Sequence, residues 1–455
     1  MGFRVTPRIA IAFTKASVAL TCAWPPSLSA TKAELLFFKV LWCAAFTSSI
    51  GLLLPLFNAI CEYYNEPIIL GKNVSLFAAV AQVTIKMVVC RLMQQRFRVS
   101  HSGSDALEQI WPSLCQTVDK ETDSERTRFQ RLFFDLETFC RHATEEENVV
   151  LQRHVDRYKY SHGIYTACCF LTSIFVICGP LYSPQDFPTH AKYPFPVEHQ
   201  PVRGIIFLHQ ALVGFQASAG MAIDAQIALL LRFATARFEI LGTQLDRARS
   251  ESEFNACIEK HTRLLSCLLF IIILFTSRIP STVLSSNVLF TSISLYNNIN
   301  NIYVRFSRRT NFRYTKSIYT AVKFIVLATA ITTNLAVIFG SLNLITRQPL
   351  TLKILYALVV VSASGELFVY SWSADSLVQQ TTYTGTKAYD TDWFQLDAKL
   401  QKKVYFMIFR SQKCEAIQIS GLLPQISLSY YAKFLSTAFS YFTTLRIIVE
   451  KSSIS

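Results

Sequence analysis

Residues 40 to 60 pass without a charge, for about the twenty residues that carry a helix across a hydrocarbon layer. Such runs recur, and they leave few folds open. Lipid offers no hydrogen bonds, so each spanning segment must satisfy its own backbone as a helix. The runs are Val40–Ile60, Val74–Cys90, Tyr160–Leu181, Gly204–Leu231, Phe324–Thr346, Ile354–Ala374 and Leu422–Glu450. The expected class is an all-α membrane protein of seven transmembrane helices. Pro55 is the expected kink of the first span. Lys86 interrupts the second and is expected to snorkel toward its end. Asp224 and Glu366 lie inside the fourth and sixth. Asp224 reads as a functional residue by default, with pairing to a neighbouring base in a protein-lined inner half as the favoured alternative.

Between spans two and three, residues 101–159 are charged throughout, with apolar positions at helical spacing. They read as amphipathic helices that continue the spans into the cytosol. The loop after Leu181 holds Pro184, Pro188, Pro194, Pro196 and Pro201, a structured connection rather than a helix or strand. The fourth span continues as RFATARFEILGTQLDRA, and LDAKLQKKVYFMIFRSQ forms an amphipathic helix before the last span.

Charge orients the bundle. The net charge of +14 comes mainly from Lys and Arg beside apolar runs. The segments before span one and after spans two, four and six are the basic ones, which places the N-terminus in the cytosol and the C-terminus outside. With that asymmetry and no nucleic-acid motif, nucleic acid is excluded as the reason for the basic balance. The sequon Asn73-Val74-Ser75 falls on the outer side, close to the membrane. A G-protein-coupled receptor has the opposite sense, and neither Asp-Arg-Tyr after span three nor Asn-Pro-x-x-Tyr in span seven is present.

A hydroxyl stripe marks the last span. Lys433, Ser436, Ser440, Thr443 and Thr444, then Ile447, recur every three or four residues, while Phe434, Leu435, Phe439, Phe442, Leu445 and Ile448 occupy the other faces. One stripe encloses no water path, but copies from several subunits do. Helix-to-helix packing through small residues explains the same spacing. The twelve Cys include no C-x-x-C pair or zinc spacing. His162, His209 and His261 stand alone, so no metal or cofactor is expected. The opening residues spread Arg4, Arg8 and Lys15 through their length, unlike a signal peptide. With Thr6 and Pro7 behind Met-Gly they match a myristoylation site poorly.

Several stretches, in order, resemble the insect odorant receptor family. They are KYPFPVEHQPVRGIIFLHQ (192–210), GMAIDAQIALLL with Asp224, the Leu241 and Leu245 spacing, ACIEKHTRLL (256–265), SWSADSLVQQ (371–380), KAYDTDWF (387–394) and the terminal FSYFTTLR (439–446). The Thr-Tyr…Gln-Phe ending of the related gustatory receptors is absent. The resemblance implies an odour-specific subunit of a heterotetrameric ligand-gated cation channel in the plasma membrane of sensory neurons. A shared co-receptor subunit would be its partner, membrane lipid its surroundings, and no G protein would be required. It implies an anchor built from cytosolic helix ends, a gate at Thr444, Ile447 and Ile448 with Ser440 on the same path, and dewetting at the apolar constriction. It places a pocket for a small volatile ligand in the outer half of the bundle, with Phe77, Phe170, Ser173, Phe215, Ser218 and Tyr356 as candidates. A gustatory-type channel subunit and a polytopic transporter are the alternatives. Against an enzyme or transporter, there is no inverted repeat and no phosphate-binding glycine loop, and no span pairs carboxylates with a His.

The expected organisation is a cytosolic segment 1–39, spans one to four with their extensions over 40–265, an atypical stretch 266–312, and spans five to seven with anchor and pore helix over 313–455. Residues 266–312 contain no Asp, Glu, Gly or Lys. Omitting them joins EKHTRLL to RYTKSIYTAVKFIVL as one helix entering span five. A retained intron or gene-model error explains that; a genuine insertion, such as a re-entrant hairpin, is the alternative.

Overall fold

The computed structural model describes residues 4–27, 30–94, 132–183, 185–276, 349–412 and 427–452, with 333–334, 336–338, 340–341 and 343–345 besides. Among these the regular structure is helical. The helices are α1 (Pro7–Ser17), α2 (Lys32–Glu62), α3 (Pro67–Gln94), α4 (132–142), α5 (Glu145–Ile177), α6 (Val202–Arg247), α7 (Glu251–Thr276), α8 (Leu350–Tyr389), α9 (Ala398–Gln412) and α10 (Leu428–Ser452).

Five of them, α2, α3, α5, α6 and α8, are long and apolar enough to cross a membrane. The expected fifth span falls mostly outside the described residues, as do most of 266–312 and residues 422–426 of the expected last span. Large apolar side chains stay exposed along the outside, among them Phe37, Leu54, Ile164, Leu208 and Val361. Water would penalise such a surface and lipid does not.

Local chemistry sets the helix starts. Thr31 and Glu34 form a reciprocal capping box on α2, and Thr144 and Glu147 do the same on α5. The acidic triplet Glu145–Glu147 thereby occupies the first turn of α5, where the helix dipole favours negative charge. From there α5 runs unbroken through the polar stretch before Tyr160 into the apolar run that follows it. α2 runs through Pro55 to Glu62. Pro55 is buried, and its carbonyl accepts from the Lys192 backbone N–H at 3.0 Å, which ties the proline-rich loop to the first span. The loop is further held by Thr189, whose N–H and hydroxyl both donate to Gln210 Oε1 at 3.0 Å. Asn73, the first residue of the sequon, is fully buried in α3.

α6 is the central post, with its largest contacts to α8 and α5. Its 46 residues exceed any membrane thickness. The C-terminal half packs with α7, α8 and α9 in one apolar core that includes Phe238, Leu241, Leu245, Phe254, Leu377 and Val404. Polar contacts cross this seam as well. His261 Nε2 lies 3.0 Å from Ser411 Oγ, and the Thr384 hydroxyl donates to the Phe238 carbonyl at 3.2 Å. Burial, assisted by Arg410, holds the His261 imidazole down to about 4, so it stays neutral at cellular pH.

One element went unforeseen. α1 folds back on the bundle, with the Thr14 hydroxyl 3.1 Å from His162 Nε2, and Val18, Ala23 and Trp24 are buried beyond it. The signal was present in the sequence: Thr6 caps the helix and Pro7 occupies its first turn.

Candidate functional site

A cavity of about 190 Å³ opens between α2, α3, α5, α6 and α8, beneath the proline-rich loop. Its walls are mainly apolar, with Leu52, Leu76, Val80, Val176 and Val359 among them. Thr189, His190 and Gln210 border it on the loop side, and Gln82, Thr333 and Glu366 at the opposite end. Burial, with Lys72 adding, keeps the His190 imidazole below its ordinary range.

Three of the six residues expected in a pocket line this cavity: Ser173, Ser218 and Tyr356. The two serines join α5 to α6. Ser173 Oγ donates to the Gly214 carbonyl at 2.6 Å, Ser218 Oγ donates to the Cys169 carbonyl at 2.7 Å, and the two Oγ atoms are 2.6 Å apart. Tyr356 is buried in α8. Phe77, Phe170 and Phe215 are half-buried and stand outside the lining. Phe77 instead packs with the buried cluster of Leu52, Leu56, Val80 and Val213. The difference follows from chemistry: a hydroxyl in a membrane helix must find a protein partner, whereas a phenyl ring is equally at home in lipid.

Behind the cavity lies a buried charge cluster. Lys86 does not snorkel. Its Nζ donates to Asp224 Oδ2 at 2.7 Å and to Glu366 Oε1 at 2.8 Å, and all three side chains are at most 4% exposed. A lysine can reach the interface only if no nearer acid holds it, and here two carboxylates from α6 and α8 face it. Asp224 therefore pairs with a neighbouring base, as the favoured reading has it. Asp224 also accepts from the Tyr165 and Tyr370 hydroxyls, and Glu366 Oε1 accepts from Gln82 Nε2 at 2.6 Å. Gly220 lets the helices approach closely enough for this pairing. A Cβ there would stand 2.3 Å from Val83 Cγ1, and Lys86 and Asp224 sit one turn beyond those two residues. Gln82, Lys86 and Glu366 were not among the expected pocket residues.

α10 packs on the bundle through one side. Tyr431 meets Phe368 of α8 with ring centroids 5.3 Å apart, and Phe434, Ala438 and Phe442 lie against Val337, Ile338 and Ser341. Ser440, Thr444 and Ile447 are exposed on the other side, with the Thr444 hydroxyl donating to the Ser440 carbonyl at 2.9 Å. The Ile448 side chain lies outside the described residues. Among those residues no group of three or more His, Cys, Asp or Glu gathers as a metal site.

Comparison with known proteins places this arrangement. A family model described as 7tm Odorant receptor matches residues 122–439. Over 91 residues the chain is 28% identical to Odorant receptor 10 of Aedes albopictus, covering 20% of this chain and 23% of that protein. It is 29% identical over 91 residues to Odorant receptor 22c of Drosophila melanogaster, covering 20% and 22%. These matched stretches span less than a quarter of the curated relatives' length. The fold is similar to the solved insect olfactory receptor OR5 from Machilis hrabei, with TM-score 0.66 and 13% identity over 96% of this chain and 97% of that one. The same receptor solved in complex with eugenol matches with TM-score 0.66 and 13% identity over 97% of this chain and 98% of that one.

Proposed function

The chain belongs to the 7tm Odorant receptor family, and on that premise we propose that it is the odour-binding subunit of a ligand-gated cation channel. The observation that carries this reading is the cavity of about 190 Å³ with apolar walls and a few polar anchors. Apolar cavities of about 150 Å³ take up benzene-sized molecules, so this one suits a small volatile compound of slightly larger size. Its hydroxyl anchors are Ser173, Ser218 and Tyr356. A solved receptor of the same fold is in complex with eugenol, a small aromatic compound.

The conducting path is assigned to α10. Its exposed Ser440, Thr444 and Ile447 supply a hydroxyl-bearing face that no other element covers among the described residues. Four such faces, one from each subunit of a ring shared with a co-receptor, enclose a path narrowed at Thr444, Ile447 and Ile448. The apolar ring closes by dewetting and opens when the helices move apart. Seven spans, with the N-terminus in the cytosol, put this narrowing near the outer surface of the plasma membrane of a sensory neuron. The core joining α6, α7, α8 and α9 is then the cytosolic anchor. Gating passes directly from ligand to helix, without a G protein.

Recording from cells that express the chain with and without the co-receptor tests the reading. Odour-evoked cation current is expected only from the pair. Ligand-dependent tracer uptake without current would instead identify a transporter.

A further inference from the structure

The cavity ends on a charge that the protein does not balance. Lys86 supplies one ammonium group, and Asp224 and Glu366 supply two carboxyl groups, all buried together. The other titratable groups facing Glu366 are Tyr165 and Cys169 from α5 and Tyr370 from its own helix, none of them a base. The segment 324–346, which contributes Thr333, holds no Asp, Glu, Lys, Arg or His. Among the described residues no second base reaches the cluster. An uncompensated charge in a membrane interior is costly, so either a proton on the cluster or a cation in the cavity neutralises it.

Lys72 lines the cavity on the loop side, beside His190, and of the cluster's three charged groups only Glu366 does. Its Oε1 accepts from Gln82 and Lys86, and its Oε2 accepts from the Thr333 hydroxyl at 3.1 Å. Its carboxyl also hydrogen-bonds with that of Asp224, and a donor arriving from the cavity would replace the proton that the two acids share. Apolar walls surround the remaining space. We propose that the cavity is built for a small volatile amine, with its nitrogen against Glu366 and its hydrocarbon body between α3, α5 and α8.

The protons balance in either entry form. A neutral amine takes up the proton held by the cluster and becomes an ammonium ion beside the carboxylate. An ammonium ion that enters displaces that proton to water. Both routes end with two cations facing two anions. The cavity size matches a ring with two attached heavy atoms, the scale of benzylamine.

This inference rests on the ligand-binding reading of the cavity, and binding to the purified full-length protein tests it without any current. Three probes of one shape serve: benzylamine, benzyl alcohol and toluene. On the unaltered protein, benzylamine is expected to bind at least tenfold more tightly than the other two. Glu366→Gln is expected to bring the amine to the level of the alcohol. Benzylamine binding no tighter than benzyl alcohol on the unaltered protein would overturn the inference and leave the cavity a binding site for neutral odours. Because that comparison needs no variant, it holds even if Glu366→Gln misfolds. An amine preference that survives a folded Glu366→Gln also overturns it. No binding by any of the three probes would remove the amine proposal and the ligand-binding reading together.

Discussion

Lys86→Met is expected to cost about 3–5 kcal/mol of stability, the range for removing one partner of a buried ion pair. The substitution leaves Asp224 and Glu366 facing each other inside the bundle with their shared cation gone. A typical domain has only about 5–15 kcal/mol in total, so most of the protein should be lost from the cell surface. What survives in detergent should unfold at a much lower temperature. The loss comes from stranded charge, not from lost volume, because Met nearly matches the length of Lys. Adding Asp224→Asn and Glu366→Gln to Lys86→Met is therefore expected to restore most of the stability, since a neutral cluster no longer needs a cation. A single Lys86→Met as stable as the original protein would show that the ammonium does not hold these helices together.

Phe238→Ala is expected to cost about 3–5 kcal/mol by a different route, the empty space left by a fully buried ring. Phe238 has no exposed surface and stands edge-on to His261 at 6.0 Å between ring centroids, where α6 meets α7. Its collapse should loosen the core that joins α6, α7, α8 and α9. The cavity lies in the other half of α6, so ligand affinity of the fraction that stays folded should not change. Lys402→Ala, on the exposed side of α9, should shift stability by no more than about 0.5 kcal/mol and serves as the control. Thermal unfolding with and without bound ligand separates the two effects. Equal loss from both substitutions would show that the seam does not depend on this ring.

These two residues also mark the limit of what could be read from sequence. The apolar runs announced their helices because a bilayer demands length and the absence of charge, and α2, α3, α5, α6 and α8 follow them. The helical periodicity before Tyr160 and the stretch RFATARFEILGTQLDRA also announced that α5 and α6 continue past their apolar runs, whereas nothing announced that α8 continues from Ala374 to Tyr389. Lys86 was misjudged as snorkelling because only its own helix was in view. Its acids lie 138 and 280 positions away in the chain. Asp224 and Glu366 stood out individually, but only packing through Gly220 brings them to one lysine. In the cavity, hydroxyl candidates turned inward because they need partners. The phenylalanines carried no such constraint, and no spacing rule separates a ring facing a cavity from one facing lipid.

The proposed channel depends on where the exposed face of α10 looks in the assembled ring. Thr444→Cys and Ile447→Cys, each expressed with the co-receptor and treated from outside with a membrane-impermeant thiol reagent, test that placement directly. Odour-evoked current is expected to fall by more than half at both positions, with the unsubstituted protein unaffected. Full current after complete modification of both cysteines would place this face away from the ion path and contradict the account.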